Sequence, residues 1–394
     1  MILMFAAMGS IAQARDGEET HRHSFAVIGY WPSWAAYDDD TDIDGINANR
    51  LTHIFYAFGA ITGEGDAQLA DPCADIGTCA TPGNSGGNFA KLHALKLRYP
   101  HLKVVISFGG WNGSAYFSRL SASKEGRRRF ARSAIAVFLE RHGGLFDGID
   151  IDWEYPVEGG LAENGRSISD RENFTLLMQE LRDQLDRLSA VTNRQYGLSV
   201  ALGADAAVSG NVDLAALSAV VDTLNLMTYD YHVGSAYTHF NAPLYPIDND
   251  PTPLATVDAT IASYLRSGVP SSKLVMGIPF YGRAYGGVDG VNEGLLRSAD
   301  PASTPKWASD GIDLKALTKM NLGKSGFVEH WDEKAKVPFA YHPTERVWVS
   351  YEDARSIAAK IAYAQEKSLA GVMIWHLGSD SRTLLETLPP LEQN

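Results

Sequence analysis

Eight short apolar or β-branched runs recur along the chain with helix-like stretches between them, and this alternation limits the fold more than any other feature. The runs are AVIGYW (26–31), LTHIFYAF (51–58), KVVISF (103–108), FDGIDIDW (146–153), YGLSVAL (196–202), VDTLNLMTY (221–229), KLVMGIPF (273–280) and GVMIW (371–375). Between them apolar residues return at spacings of three and four, as at Phe174, Leu177, Leu181, Leu185 and Leu188, behind Ser169 and Glu172 in the pattern of a capping box. Phe130, Ala134 and Val137 keep the same period. Strands that alternate with helices pair in parallel, and eight such units predict an α/β fold, a closed (β/α)₈ TIM barrel. The 394 residues are enough for such a barrel with insertions. An open doubly wound sheet is the alternative, but no Gly-rich phosphate turn follows the first run.

Two segments exceed ordinary connections. From Tyr281 to Trp348 the pattern changes to short strands and turns, so a small α+β insertion domain (281–348) is expected between the seventh and eighth strands, followed by a helix from Glu352 to Lys367. The barrel then comprises 25–280 and 349–388. The loop TGEGDAQLADPCADIGTCATPGNSGGN after the second strand is also long, which marks it as functional or mobile. Both segments follow strands and so belong to the C-terminal rim, where such barrels carry their active sites. Cys73 and Cys79, the only cysteines, lie in this loop. A disulfide clipping it is favoured, with free thiols the alternative.

The chain begins MILMFAAMGSIAQAR, a short apolar run ending in Ala12-Gln13-Ala14. Residues 1–14 read as a secretory signal peptide without a charged n-region, and 15–24 as a polar leader in which His21 and His23 are solvated. A secreted location is expected, with the periplasm as the alternative. No run is long enough to span a bilayer. The formal net charge of −13 argues against nucleic acid or an anionic membrane as partner and suits a neutral ligand.

The stretch FDGIDIDWEYP carries the chemistry. In a strand, Asp150, Asp152 and Glu154 share one face, and Ile149, Ile151 and Trp153 the other. Like charges stacked in a buried strand cost several kcal/mol unless paired, and push one another toward protonation. A solvated edge strand and a hard-metal site are the competing readings; neither basic neighbours nor a polar second face supports the first, and acid/base catalysis is favoured. Inside a barrel, Asp150 is deepest and Glu154 sits at the mouth, roughly 7 Å beyond Asp152 at the backbone. Asp147 has the opposite parity, which favours a structural role in closing the turn into the strand.

On these residues the chain resembles the chitinases of glycoside hydrolase family 18. The signature D-x-x-D-x-D-x-E is matched by Asp147, Asp150, Asp152 and Glu154, followed or preceded in order by SFGGW (107–111), MTYDYH (227–232), NAPLY (241–245), GIPFYGRAY (277–285) and Trp375. The resemblance runs from about Phe25 to about Asp380. It implies cleavage of β-1,4 bonds in chitin or chitooligosaccharides with retention, through attack by the substrate's own acetamido group. Glu154 would be the acid, Asp152 would orient the acetamido N–H, Tyr229 would donate to its oxygen, and Tyr30 and Ser107 would steady Asp150. Trp375 would floor the reacting subsite, Trp111 the leaving-group side, and Tyr56, Met227, Asp230, Tyr281 and Arg283 would line the former. Arg283 reads equally as a structural partner of Asp230. No cofactor or metal is implied, and a monomer is expected. The chain departs from the pattern after MTYDYH, where a Trp is common and Tyr237 is the nearest aromatic, and it shows no separate chitin-binding module. Two other functions fit the scaffold. An endo-β-N-acetylglucosaminidase is disfavoured by the insertion and SFGGW; a non-catalytic lectin is disfavoured by the presence of Glu154.

Overall fold

The computed structural model describes residues 25–391, apart from 39, 80–85, 309–310 and 381–382. The expected signal peptide and polar leader lie outside the described residues.

Eight parallel strands close on themselves as the alternation predicts. They are β1 (Ala26–Pro32), β2 (His53–Ile61), β3 (Lys103–Gly109), β4 (Gly148–Asp152), β5 (Gly197–Gly203), β6 (Thr223–Met227), β7 (Leu274–Pro279) and β8 (Gly371–Trp375). Each pairs with the next, and β8 pairs with β1 with Gly371 opposite Ala26 and Met373 opposite Ile28. A short strand, Ala67–Leu69, adds antiparallel to the end of β2.

Strand alternation divides the apolar residues into two cores. Val27, Ile54, Ile106, Ile149, Ile151 and Leu226 face outward onto the helices. Ile28, Tyr30, Phe55, Ala57, Val105 and Met373 form a separate cluster that fills the barrel. The helix Asp170–Thr192 buries Phe174, Leu177, Leu181 and Leu185, the stripe that its period predicts. Its expected capping box is absent. Ser169 already has helical dihedrals and makes no side-chain cap bond; Asp170 instead accepts from the Ser167 N–H (2.7 Å) and from the Ser118 hydroxyl (2.8 Å). A reciprocal box does form at Asp353 and Ser356, where the helix Ala354–Glu366 leads into β8.

Between β7 and β8 lies a second sheet of five antiparallel strands, in the order Ile312–Asp313, Tyr281–Tyr285, Val347–Ser350, Val337–His342 and Val328–Asp332, with a helix at Leu314–Met320. Its core of Tyr285, Val288, Phe339, Tyr341 and Trp348 takes in Phe240 from the segment after β6. Asp147, just before β4, binds Lys96 Nζ (2.6 Å), Arg194 Nη2 (3.1 Å) and the Val104 N–H (2.9 Å). It thereby fastens the bottom of β4 to the helix Gly87–Arg98, to the connection before β5 and to β3.

Gly109 at the end of β3 shows how closely the acid strand is approached. Its φ is +115°, and a Cβ there would lie 1.9 Å from the Asp152 carbonyl oxygen. Both the dihedral and the contact exclude a side chain. Gly109→Ala is expected to destabilise the fold by at least about 2 kcal/mol, read as a drop of several degrees in the thermal midpoint; an unchanged midpoint would mean that the β3–β4 contact is not needed.

Candidate active site

The loop after β3 holds the backbone of the acid strand. The Gly110 N–H donates to the Asp152 carbonyl (2.8 Å), and the Ser114 hydroxyl accepts from the Glu154 N–H (2.9 Å). The Asn164 amide donates to the Glu154 carbonyl (2.9 Å). The Glu154–Tyr155, Ala57–Phe58 and Trp375–His376 peptides are cis, all three at the rim.

Asp150 lies completely buried inside the barrel and receives four donors. Tyr30 (3.0 Å) and Ser107 (2.7 Å) bind Oδ2; Ser199 (2.6 Å) and Asn225 (3.4 Å) bind Oδ1. Tyr30 and Ser107 are the partners that the sequence resemblance implies. Ser199 and Asn225 were not foreseen, although a polar residue of inward parity in β5 and in β6 is the signal; Ser199 is the register partner of Asp150. Burial raises the Asp150 pKa, and the four donors act against it.

Asp152 is buried one layer higher, and its Oδ1 has no hydrogen-bond partner among the described residues. Burial first, then the charges of Glu154 and Asp150, push its carboxyl well above the usual range. Glu154 is likewise buried at the mouth and pushed up to about 7 by burial, with Tyr155 hydrogen bonding opposing and Asp230 adding to the rise. Two raised carboxyls side by side retain a proton between them near neutral pH.

Across the mouth, Tyr229 is half-buried, its ring edge-on to Tyr281 with centroids 6.1 Å apart. Gly277 makes room for it, since a Cβ there would come within 2.8 Å of the Tyr229 ring. Asp230, at φ +60°, accepts a two-pronged contact from Arg283 (Nε–Oδ1 and Nη2–Oδ2, both 2.9 Å), while its N–H donates to Asn241 Oδ1 (3.2 Å). Arg283 is thus the partner of Asp230, and it also stands over the Tyr281 ring (5.1 Å). The Tyr281 hydroxyl is buried without a hydrogen-bond partner among the described residues. Met227 is half-buried and packs against the cluster that fills the barrel.

Trp375, at the end of β8, is edge-on to Tyr30 (5.6 Å) and stacked on Phe58 (5.9 Å, 28°). Trp34, after β1, lies 6.4 Å from Trp375. Trp34 (48 % exposed) and Trp111 (50 % exposed) both stand open to solvent. Phe58, Trp34 and Tyr155 were not singled out from the sequence. Their role depends on which loop ends meet, which strand periodicity does not report.

Tyr56 is a correction. It belongs to the outward face of β2, fully buried against Phe89 and Phe146, with its hydroxyl on Asp75 (2.5 Å). It therefore does not line the mouth; Phe55 and Ala57 are the inward residues of that strand. The two cysteines form a Cys73–Cys79 disulfide.

The family model described as Glycosyl hydrolases family 18 matches residues 26–380. Chitinase A1 of Niallia circulans is 33% identical over 98% of this chain, and this chain spans 62% of that protein. Chitinase 1 of Aphanocladium album is 31% identical over 95% of this chain and 88% of its own length. Among solved structures, the chitinase ChiA74 from Bacillus thuringiensis superposes with a TM-score of 0.88 at 34% identity, covering 94% of this chain and 71% of that one. With the acid strand, the barrel and these matches in agreement, the chain belongs to glycosyl hydrolase family 18.

Proposed function

We propose that the chain is an exported chitinase that hydrolyses β-1,4 bonds between N-acetylglucosamine units with retention of configuration, using the substrate's acetamido group as nucleophile. The observation that carries this reading is the state of Asp152: a buried carboxyl beside the proton-holding Glu154, with one oxygen unpartnered. A buried acceptor without a donor costs about 1–3 kcal/mol, and a substrate amide N–H would satisfy it. The relatives named chitinases favour the same polymer. The apolar run at residues 1–14, with the pattern of a signal peptide, supports export.

The chemistry follows from the groups at the mouth. Glu154 gives its proton to the glycosidic oxygen as the C1–O bond breaks. The acetamido oxygen, polarised by Tyr229 and by Asp152 at its N–H, attacks C1 from the opposite face and forms an oxazolinium ion. The Glu154 carboxylate then takes a proton from water as that water attacks C1 and reopens the ring, so two inversions leave a β product. Asp150, held by its four donors, keeps its orientation next to Asp152. Trp375 floors the reacting ring and Trp111 meets the sugar on the leaving side. Tyr281, Asp230, Arg283 and Met227 wall the reacting subsite.

Glu154→Gln is expected to lower kcat on soluble chitooligosaccharides by about 10²–10⁴-fold with little change in KM. The fresh product of the unaltered protein, read by NMR, is expected to be the β anomer; an α product would mean direct attack by water. Asp152→Asn keeps the shape but cannot hold the amide as a charged acceptor, and is expected to cost at least about 100-fold in kcat. An active Asp152→Asn would remove the orienting role.

The raised carboxyl of Glu154 also sets the pH response. A general acid must carry its proton, so kcat/KM is expected to fall as pH rises through about 7. The same shift acts on stability. A folded pKa above the unfolded value favours folding at low pH, and that contribution is lost between the unfolded carboxyl range and about 7. The thermal midpoint of the unaltered protein is therefore expected to drop relative to Glu154→Gln between pH 5 and pH 8; parallel curves would count against a buried, proton-holding Glu154.

A further inference from the structure

A second buried polar network lies apart from the acid strand, and the chemistry above makes no use of it. Tyr56 of β2, Asp75 on the helix Pro72–Ile76 and Asn88 on the helix Gly87–Arg98 are each at most 2% exposed. The Tyr56 hydroxyl donates to Asp75 Oδ1 (2.5 Å) and accepts from Asn88 Nδ2 (3.1 Å). The same Asn88 amide donates to the Ser33 carbonyl (3.0 Å). Ser33 opens the 3₁₀ turn Ser33–Tyr37, whose second residue is Trp34.

The other end of that turn is tied to the same loop. The Tyr37 hydroxyl donates to Asp71 Oδ2 (2.6 Å), while Asp71 Oδ1 accepts from the N–H groups of Cys73 (3.0 Å) and Ala74 (3.2 Å). The Asp71 N–H returns to Asp75 Oδ2 (3.1 Å), and the Cys73–Cys79 disulfide closes the segment. One end of the Trp34 turn is thus held by Asn88 and the other by Asp71, both linked through Asp75 on the disulfide-closed segment, and Trp34 lies 6.4 Å from Trp375. Burying a tyrosine, a carboxyl and an amide here is costly compared with apolar residues of the same size. What three linked hydrogen bonds supply in return is a fixed direction for what they hold, and that is the backbone carrying an open indole.

We propose that Tyr56, Asp75 and Asn88 are positioning residues that set Trp34 beside Trp375, so that the loop closed by Cys73–Cys79 governs how firmly the cleft grips sugars beyond the reacting ring. This rests on the reading of the cleft as a chitooligosaccharide site. The network touches no reacting atom; it acts through the indole.

The test compares two methylumbelliferyl glycosides, those of di-N-acetylchitobiose and tri-N-acetylchitotriose. Release of the fluorophore confines the added sugar to the side away from the leaving group. Trp34→Ala is expected to lower the ratio of kcat/KM between the longer and the shorter substrate about tenfold, the factor that about 1.4 kcal/mol of lost contact supplies. Tyr56→Phe and Asn88→Ala are expected to lower the same ratio several-fold, mainly through KM on the longer substrate. In the Trp34→Ala background neither change should lower it further, because the two act through one indole. Cys73→Ala combined with Cys79→Ala leaves the three residues in place and loosens the segment that carries Asp75; it is expected to lower the ratio too, and it decides the matter if Tyr56→Phe does not fold. Equal losses on both substrates, no loss, or losses that add to that of Trp34→Ala would overturn the proposal. If the unaltered protein releases no fluorophore from either glycoside, the chitinase reading fails. Calorimetric binding of the tri- and tetrasaccharides to the same variants then reads the chain-length ratio without turnover, and absence of binding overturns both.

Discussion

Everything in this molecule is arranged around three carboxyls placed on the inner face of one buried strand. Two apolar residues and Trp153 on the opposite face anchor that strand to the helices, so it cannot turn its acids to water. The cost of holding them inside is met unequally along the strand. Asp150 is surrounded by hydroxyls and an amide, Asp152 retains an unpartnered oxygen, and Glu154 is left at the mouth with its carboxyl pushed up to about 7 by burial. Hydrogen bonding thus differs along the strand, complete at its buried end and incomplete toward the mouth.

The neighbouring strands supply the bonds at the buried end. β1, β3, β5 and β6 each direct one polar side chain at Asp150, and two glycines allow backbone and ring to come close where a side chain would collide. The loops above the barrel are less regular and carry the aromatic surfaces. The sheet between β7 and β8 takes Phe240 into its own core, which braces the segment bearing Tyr229 and Asp230 against a structure outside the barrel.

The barrel and the acid strand were legible in the sequence because each rests on a short period. Eight runs alternating with helical stretches point to the architecture, and the charged residues of β4 declare their parity by contrast with the isoleucines between them. Tyr56 was misread for the converse reason: HIFYAF is apolar on both faces, so nothing in it says which residues look inward. The capping box at Ser169 matched a pattern, but the neighbouring Asp170 offered a carboxylate to the Ser167 N–H and to Ser118. Trp34 and Phe58 owe their places to contacts with Trp375, far away in the chain, and no local pattern carries such information.

The place of β8 in the chain has a consequence for how the protein comes into being. The strand that supplies Trp375 is the last of the barrel to be synthesised, and it must settle between β7 and β1, which is the first. A growing chain therefore possesses the acids long before it possesses the indole that packs on Tyr30 and Phe58 at the mouth. The acid strand waits in an unclosed sheet with its inner face exposed, and closure of the barrel and completion of the cleft are one event late in folding.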